Sequence, residues 1–354
     1  MEKIKKREIF QNIEKKAFSR RKFVKETVAS AVIFGSTPQF FPETAGQKKK
    51  VQSSIKPLFR FLQVNDLHIE HDGKGYKDAN VRASWLFNAL KSERYFPKPD
   101  FILGIGDIIH GESLEGIKKD LAYFRENFLD SLSIKFYHIM GNHECKQNEG
   151  NPEFEAPFIK ANGPDSLNFS FEYKGIEFIA LNNSGTFVIT DELEHIRKER
   201  LKALLQKNPS LPKIVCCHIP IIPIRDESVL AQSFGFSSYK TKDTSILGLL
   251  QAPEHKVRAV LSGHIHFTGS VVKEGIHHTT ISGLASFPHD IALYSVFSDR
   301  IDVEVIRIPS DLLMPVTNIH GAGRHKKDFT DSTHPSYTQY IMGNENERSF
   351  SIQL

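Results

Sequence analysis

Phe61-Leu62-Gln63-Val64-Asn65 runs directly into Asp66-Leu67-His68, and four later stretches repeat that arrangement of an apolar run ending on a metal-ligand residue type. FILGIG (101–106) ends on Asp107, and FYHIM (136–140) leads into Gly141-Asn142-His143-Glu144. IVCC (214–217) ends on His218, and AVLSG (259–263) runs into His264-Ile265-His266. Short apolar runs bounded by Gly, Asn or Pro read as buried strands. In open α/β sheets, ligands lie outside the carboxyl ends of such strands. Five strand ends therefore aim carboxylates, imidazoles and one amide at a single rim.

The spacing predicts a site for two metals. Residues two apart on extended chain point to the same side, so Asp66 can converge with His68, and His264 with His266. Two ions about 3.5–4 Å apart share a bridging oxygen. Asp107, alone after a glycine that permits a tight turn, suits the bridge. Mixed imidazole and carboxylate donors favour Zn, Mn or Fe over Mg or Ca. Asn142 offers an amide oxygen without adding charge, which leaves room for an anionic substrate.

Taken together, Asp66-x-His68, Gly106-Asp107, Gly141-Asn142-His143-Glu144, His218 and Gly263-His264-x-His266 resemble the ordered blocks of the calcineurin-like metallophosphoesterases, over roughly residues 58–308. The resemblance implies an α/β fold, a four-layer α/β/β/α sandwich with a dimetal site at the C-terminal ends of strands. One ion would take Asp66, His68, Asp107 and His266; the other Asp107, Asn142, His218 and His264. His143 would stand outside the ligand set as proton donor or phosphate contact, with Glu144 orienting it. Asn142 and His143 would also meet substrate. Purple acid phosphatases are similar but have Gly at the position of His68, and a metal-binding Tyr where this chain has His110. The Asp-x-His form is closer to the class III cyclic-nucleotide phosphodiesterases. His110 is left either outside the ligand shell or with no metal role.

The implied chemistry follows from charge. A phosphoester is anionic and repels hydroxide, so two cations neutralise it and lower the pKa of a bound water. The resulting metal-bound hydroxide attacks phosphorus, and His143 supplies the proton for the leaving alkoxide. This predicts a phosphoric ester hydrolase acting on a small phosphodiester or phosphomonoester. A phosphomonoesterase of the acid or alkaline type and a metal-binding scaffold without catalysis are the alternatives.

Ser19-Arg20-Arg21-Lys22-Phe23-Val24-Lys25 precedes a short apolar stretch, Thr27 to Gly35. The pattern is that of a twin-arginine export signal, which predicts engagement of the twin-arginine translocase and a periplasmic or extracellular destination. The apolar stretch falls far short of the roughly 20 residues that span a bilayer. Residues 1–45 carry ten Lys/Arg against five Asp/Glu, whereas the whole chain is +4, so the remainder is near neutral. Without a basic stripe, nucleic acid is not an expected partner. Three cysteines cannot build a disulfide framework, and Cys216 and Cys217 on a strand must face opposite ways.

The expected organisation is a leader over 1–45, a linker over 46–57, the phosphoesterase domain over 58–308 and a polar extension over 309–354. Helical patterns run over Asp78–Glu93, Leu114–Leu129 and Thr190–Lys207. The segment Ile219–Ser245 is long enough to cover the metals, or else to be a surface excursion, and Arg225 within it is a candidate phosphate contact. His277, His278 and His289 are candidates for substrate contact. His320, His325 and His334 read as a solvated tail, and the final RSFSIQL as one last strand.

Overall fold

The computed structural model describes residues 56–185, 190–227, 240, 245–314 and 333–354. The leader, with Arg20 and Arg21, lies outside the described residues, as do much of the 219–245 segment, His320 and His325. Ile55–Leu354 forms one compact unit. No helix among the described residues is long and apolar enough to cross a membrane.

Strands and helices alternate over the first three strand–helix pairs, and later strands also follow one another directly. The first half contains β1 (Phe59–Val64), α1 (Ala79–Ala89), β2 (Phe101–Ile105), α2 (Leu114–Phe124), β3 (Lys135–Ile139) and α3 (Pro152–Asn162). There follow β4 (Phe169–Tyr173), β5 (Ile176–Ala180), α4 (Asp191–Leu205), β6 (Lys213–Cys216), α5 (Ser245–Gln251) and β7 (Val257–Ser262). The rest comprises β8 (Gly269–Lys273), β9 (Ile276–Thr280), β10 (Asp290–Val296), β11 (Arg300–Arg307), α6 (Tyr337–Met342), α7 (Glu345–Arg348) and β12 (Ser349–Gln353). Helix starts are set locally. Ser113 caps α2 by accepting from Gly116 N, and Thr190 caps α4 by accepting from Leu193 N. The helix after 114 ends in one π-turn, Arg125–Leu129. The α3 helix and the β4–β5 hairpin are additions to the sequence reading.

Two six-stranded sheets result, in the orders β12-β11-β10-β1-β2-β3 and β4-β5-β6-β7-β9-β8. In each, the ligand-bearing strands are mutually parallel: β1 with β2 and β2 with β3, then β6 with β7. Their carboxyl ends therefore share one edge. Alternation sorts the side chains into layers. Phe61, Phe101, Leu103, Phe178 and Leu261 pack between the sheets, while Leu62, Val64 and Ile102 face α1, α2 and α3. Val215 and Val260 pack against α4 and α5. This is the expected four-layer sandwich. Its central layer is rich in rings, with Phe61 stacked on Tyr294 at 4.4 Å and Tyr137 on Phe171 at 3.9 Å. Such pairs contribute about 0.5–1.5 kcal/mol each beyond burial.

The C-terminal residues are not a detached extension. The last strand pairs with β11 at the edge of the first sheet, Ile301 opposite Ile352. Arg348 holds the buried Asp290 through both carboxylate oxygens, at 2.6 and 2.9 Å. The domain thus runs past the expected boundary at 308. Cys216 lies in the inter-sheet core and Cys217 against the α4–α5 layer, as alternation requires. Both are free, as is Cys145, and burial pushes the Cys145 and Cys217 thiols up to about 12.

Candidate dimetal centre

The chains leaving β1 and β2 stay paired beyond the strands. Asp66 N donates to Gly106 O, His68 N to Asp107 O, and Ile69 N to Ile108 O. Asp66, His68 and Asp107 are thereby held side by side. Gly106 makes room: its φ is +72°, and a Cβ there would lie 2.5 Å from His218 Nδ1 and 2.7 Å from Gly141 Cα. At the other sheet, Gly263 N donates to His218 O, which sets the β6 and β7 ends together.

The convergence within each pair differs from the sequence expectation. Asp66, His68, Asp107, His264 and His266 all adopt left-handed backbone, with φ between 46° and 72°. Non-glycine residues rarely do so, and such conformations collect at functional sites. Asp66 and His68 thus meet through turns and not through strand alternation. Leu67 and Ile265 between them are buried in the core, which anchors the turns.

Seven side chains come together at this rim. His266 Nε2 lies 3.0 Å from Asp66 Oδ1 and 3.1 Å from His68 Nε2. His218 Nε2 lies 3.1 Å from both Asp107 Oδ2 and Asn142 Oδ1. His264 Nδ1 is 2.8 Å from Asn142 Oδ1. Asp107 Oδ2 is also 3.9 Å from His68 Nε2, so one carboxylate touches both clusters. Asp66 with His68 and His266, and Asp107 with His218 and His264, are each placed to hold an ion.

The donor set fits cations. Asp66 Oδ2 accepts from Asn65 Nδ2 and His264 N, but Oδ1 is buried with no hydrogen bond while imidazoles crowd it. His218 Nδ1 donates to Ile105 O, and His266 Nδ1 meets Ser286 Oγ, which turns each Nε2 inward. Burial raises the Asp66 carboxyl, but His266 and His218 outweigh it and hold Asp66 well below the usual range. Asp107 behaves likewise: burial opposes, and His218 and His143 bring it far down. Burial and nearby His143 lower His68 to about 3, leaving the neutral imidazole a metal requires. His218 is also opposed by burial, yet Asp107 beside it pushes it up to about 10. The carboxylate that draws a proton to His218 would draw a dication, with which that proton competes.

His143 borders this set, its ring 4.5 Å from that of His68, and those two with His110 form a further cluster that could hold an ion. The His143 side chain is 28% exposed, where Asp107 is 2%, and its Nε2 is 4.0 Å from Asp107 Oδ2. Its Nδ1 donates to the His110 carbonyl, leaving Nε2 toward the site. Glu144 does not orient it. The Glu144 carboxylate instead accepts from Asp107 N, Ile108 N, Ile109 N and Gly141 N, with His138 Nε2 at 3.2 Å. It is completely buried and binds the loop that presents Asp107. Arg225 is a second correction. It is buried, and its guanidinium donates to Glu347 and to the carbonyls of Tyr340, Ile224 and Thr268, so it fastens the C-terminal helices and does not face the rim.

Other histidines are also placed. His110 Nε2 pairs with Glu112 at 2.9 Å, and its ring stacks on His143 at 5.4 Å. His289 donates to Leu284 O and accepts from Met314 N; His277 stacks on Phe350; His278 is buried in the sheet; His334 pairs with Glu347. None of these four contacts a rim residue through those bonds. Sequence reading missed Tyr76, whose ring packs 4.4 Å from His68 and 5.6 Å from His266. It also missed Asn65 and Asn183, the latter clamping Ile219 N and O just after His218. An Asn closing an apolar strand was the available signal for Asn65.

Residues 59–267, more than half of the chain, match the family model of calcineurin-like phosphoesterases, and the chain belongs to that family. A 3',5'-cyclic-nucleotide phosphodiesterase of Nostoc sp. is 24% identical over 217 residues, 61% of this chain and 74% of that relative. Among solved structures, a dimetal phosphatase from Danio rerio superposes with a TM-score of 0.55 at 17% identity, covering 71% of this chain and 97% of that one. A purple acid phosphatase from yellow lupin (Lupinus luteus) seeds gives 0.52 at 15% identity, covering 72% and 52%. Both share the fold.

Proposed function

We propose that this chain is an exported dimetal phosphoesterase that hydrolyses small phosphodiesters or phosphomonoesters. Asp66, His68, Asp107 and His266 would hold one ion, and Asp107, Asn142, His218 and His264 the other. The observation that carries the reading is Asp107 Oδ2, set within 4 Å of imidazoles from both clusters. Transition-metal ions of the Mn, Fe or Zn kind suit such donors, and they supply positive charge for a phosphoryl group and acidity for a water. Asn142 adds an oxygen without charge and so does not repel the substrate anion.

His143 carries the proton. As an imidazolium it bonds His110 O through Nδ1 and offers the Nε2 proton to the leaving alkoxide. The neutral ring left behind keeps its Nδ1–H and its bond to the carbonyl. The diester preference draws on the likeness to the Nostoc phosphodiesterase. Rates with bis(p-nitrophenyl) phosphate, p-nitrophenyl phosphate and cyclic nucleotides, with metal analysis of the same sample, test the reading. Turnover of diesters by protein holding two ions supports it; full metal with no turnover of any ester would leave a scaffold.

Export is a separate part of the proposal and rests on Arg20-Arg21 and the short apolar stretch behind them. Replacing both arginines with lysine should leave precursor in the cytoplasm, because the paired guanidinium groups are what the twin-arginine pathway reads. Normal processing of the double variant would sink this assignment.

A further inference from the structure

With Glu144 committed to the Asp107 loop, the orientation of His143 needs another source, and the bonds around His110 provide one. His143 Nδ1 donates to the His110 carbonyl. The same peptide group ends in Gly111 N–H, which donates to Asp120 Oδ2 at 3.0 Å. One peptide unit is therefore gripped from both ends, by a carboxylate at its N–H and an imidazole at its C=O. Asp120 projects from α2 and is 1% exposed. Its other oxygen, Oδ1, accepts from His71 N at 2.9 Å and meets His71 Nδ1 at 2.6 Å.

The peptide can sit there only because residue 111 is glycine. Its φ is +57°, and a side chain would collide with the carbonyl of His143. A carboxylate on the N–H also polarises the amide and makes its oxygen a better acceptor. We infer that Asp120 is a positioning residue for His143, acting through the His110–Gly111 peptide to hold the ring in its Nδ1–H form with Nε2 toward the substrate. This rests on the reading of His143 as the leaving-group acid. A carboxylate–peptide–imidazole series then does what a direct carboxylate–histidine bond does elsewhere.

The test compares alkyl phosphoesters with p-nitrophenyl esters, whose leaving group hardly needs a proton. Asp120→Ala should lower kcat for alkyl esters about 10–100-fold, as loss of an orienting partner does. KM, the two bound ions and p-nitrophenyl turnover should stay nearly unchanged. Asp120→Asn keeps one oxygen that can accept Gly111 N–H but turns an amide NH2 toward His71 N–H, so it should recover only part of the loss. In a His143→Ala background, Asp120→Ala should add little, because both changes remove one function. Equal losses for both ester types, or a full further loss in that background, would overturn the inference. If His143→Ala alone hits both ester types equally, the acid assignment itself fails, which separates the two ideas. Should Asp120→Ala not fold, ¹⁵N spectra of histidine-labelled wild type decide: neutral His143 should be the Nδ1–H tautomer, and the Nε2–H form would refute the relay.

Discussion

The histidines at the rim and the histidine inside β9 are the same side chain under opposite conditions. His218 and His266 each have Nδ1 fixed by a protein oxygen and Nε2 beside a carboxylate. His278, 2% exposed, has neither nitrogen bonded. Burial lowers it to about 4, helped by Lys273 and His277. Both groups are out of water, so burial alone does not make a histidine a ligand. What does is a second group that fixes one nitrogen and an anion that makes a cation welcome at the other.

Removing the shared anion should have the largest effect. Asp107→Ala should release both ions and bring turnover near background while the fold persists, since Asp107 serves both clusters. Metal analysis that still finds two ions would break the comparison at its centre. His143→Ala comes next. It should keep both ions and lose about 10²–10⁴-fold in kcat for alkyl esters, and far less for p-nitrophenyl esters.

Glu144→Gln probes the frame beneath the anion. Only one oxygen would remain for four backbone N–H groups and His138. Metal affinity or activity should fall about 10–100-fold, read by metal titration, with Asp107 chemically intact. Unchanged affinity would show that Asp107 needs no such support.

The smallest effect belongs to the histidine away from the rim. The unfolded chain binds a proton at His278 near its ordinary 6.5, and the folded chain only near 4. The stability this site allows is therefore complete above 6.5 and lost as pH falls toward 4. His278→Leu should remove that part of the acid slope and leave neutral stability equal or higher by up to about 1 kcal/mol, since an unbonded buried polar group is costly. Urea unfolding at pH 7 and pH 5 measures both. An unchanged slope would mean that His278 does not titrate in this window.

The order of five apolar runs, each closed by a ligand type, was enough to place Asp66, His68, Asp107, Asn142, His218, His264 and His266 at one edge of a two-sheet sandwich. That information is local: strand patterning, and the rule that parallel strands share a carboxyl end. The helices from 79, 114 and 191 were also legible, because helical patterning is local and the last opens with acids suited to a helix start. What Glu144, Arg225 and Asp120 bind was not legible. Arg225 and Glu347 are 122 residues apart, and Asp120 reaches His143 only through a peptide that neither side chain identifies. The left-handed turns at Asp66 and His68 were hidden too, since nothing in Asp-Leu-His demands positive φ. Sequence determined which residues meet at the rim, because strand direction is written in local pattern. Tertiary structure alone decided what holds each of them in place, because a hydrogen bond depends on distance in space and not on position along the chain.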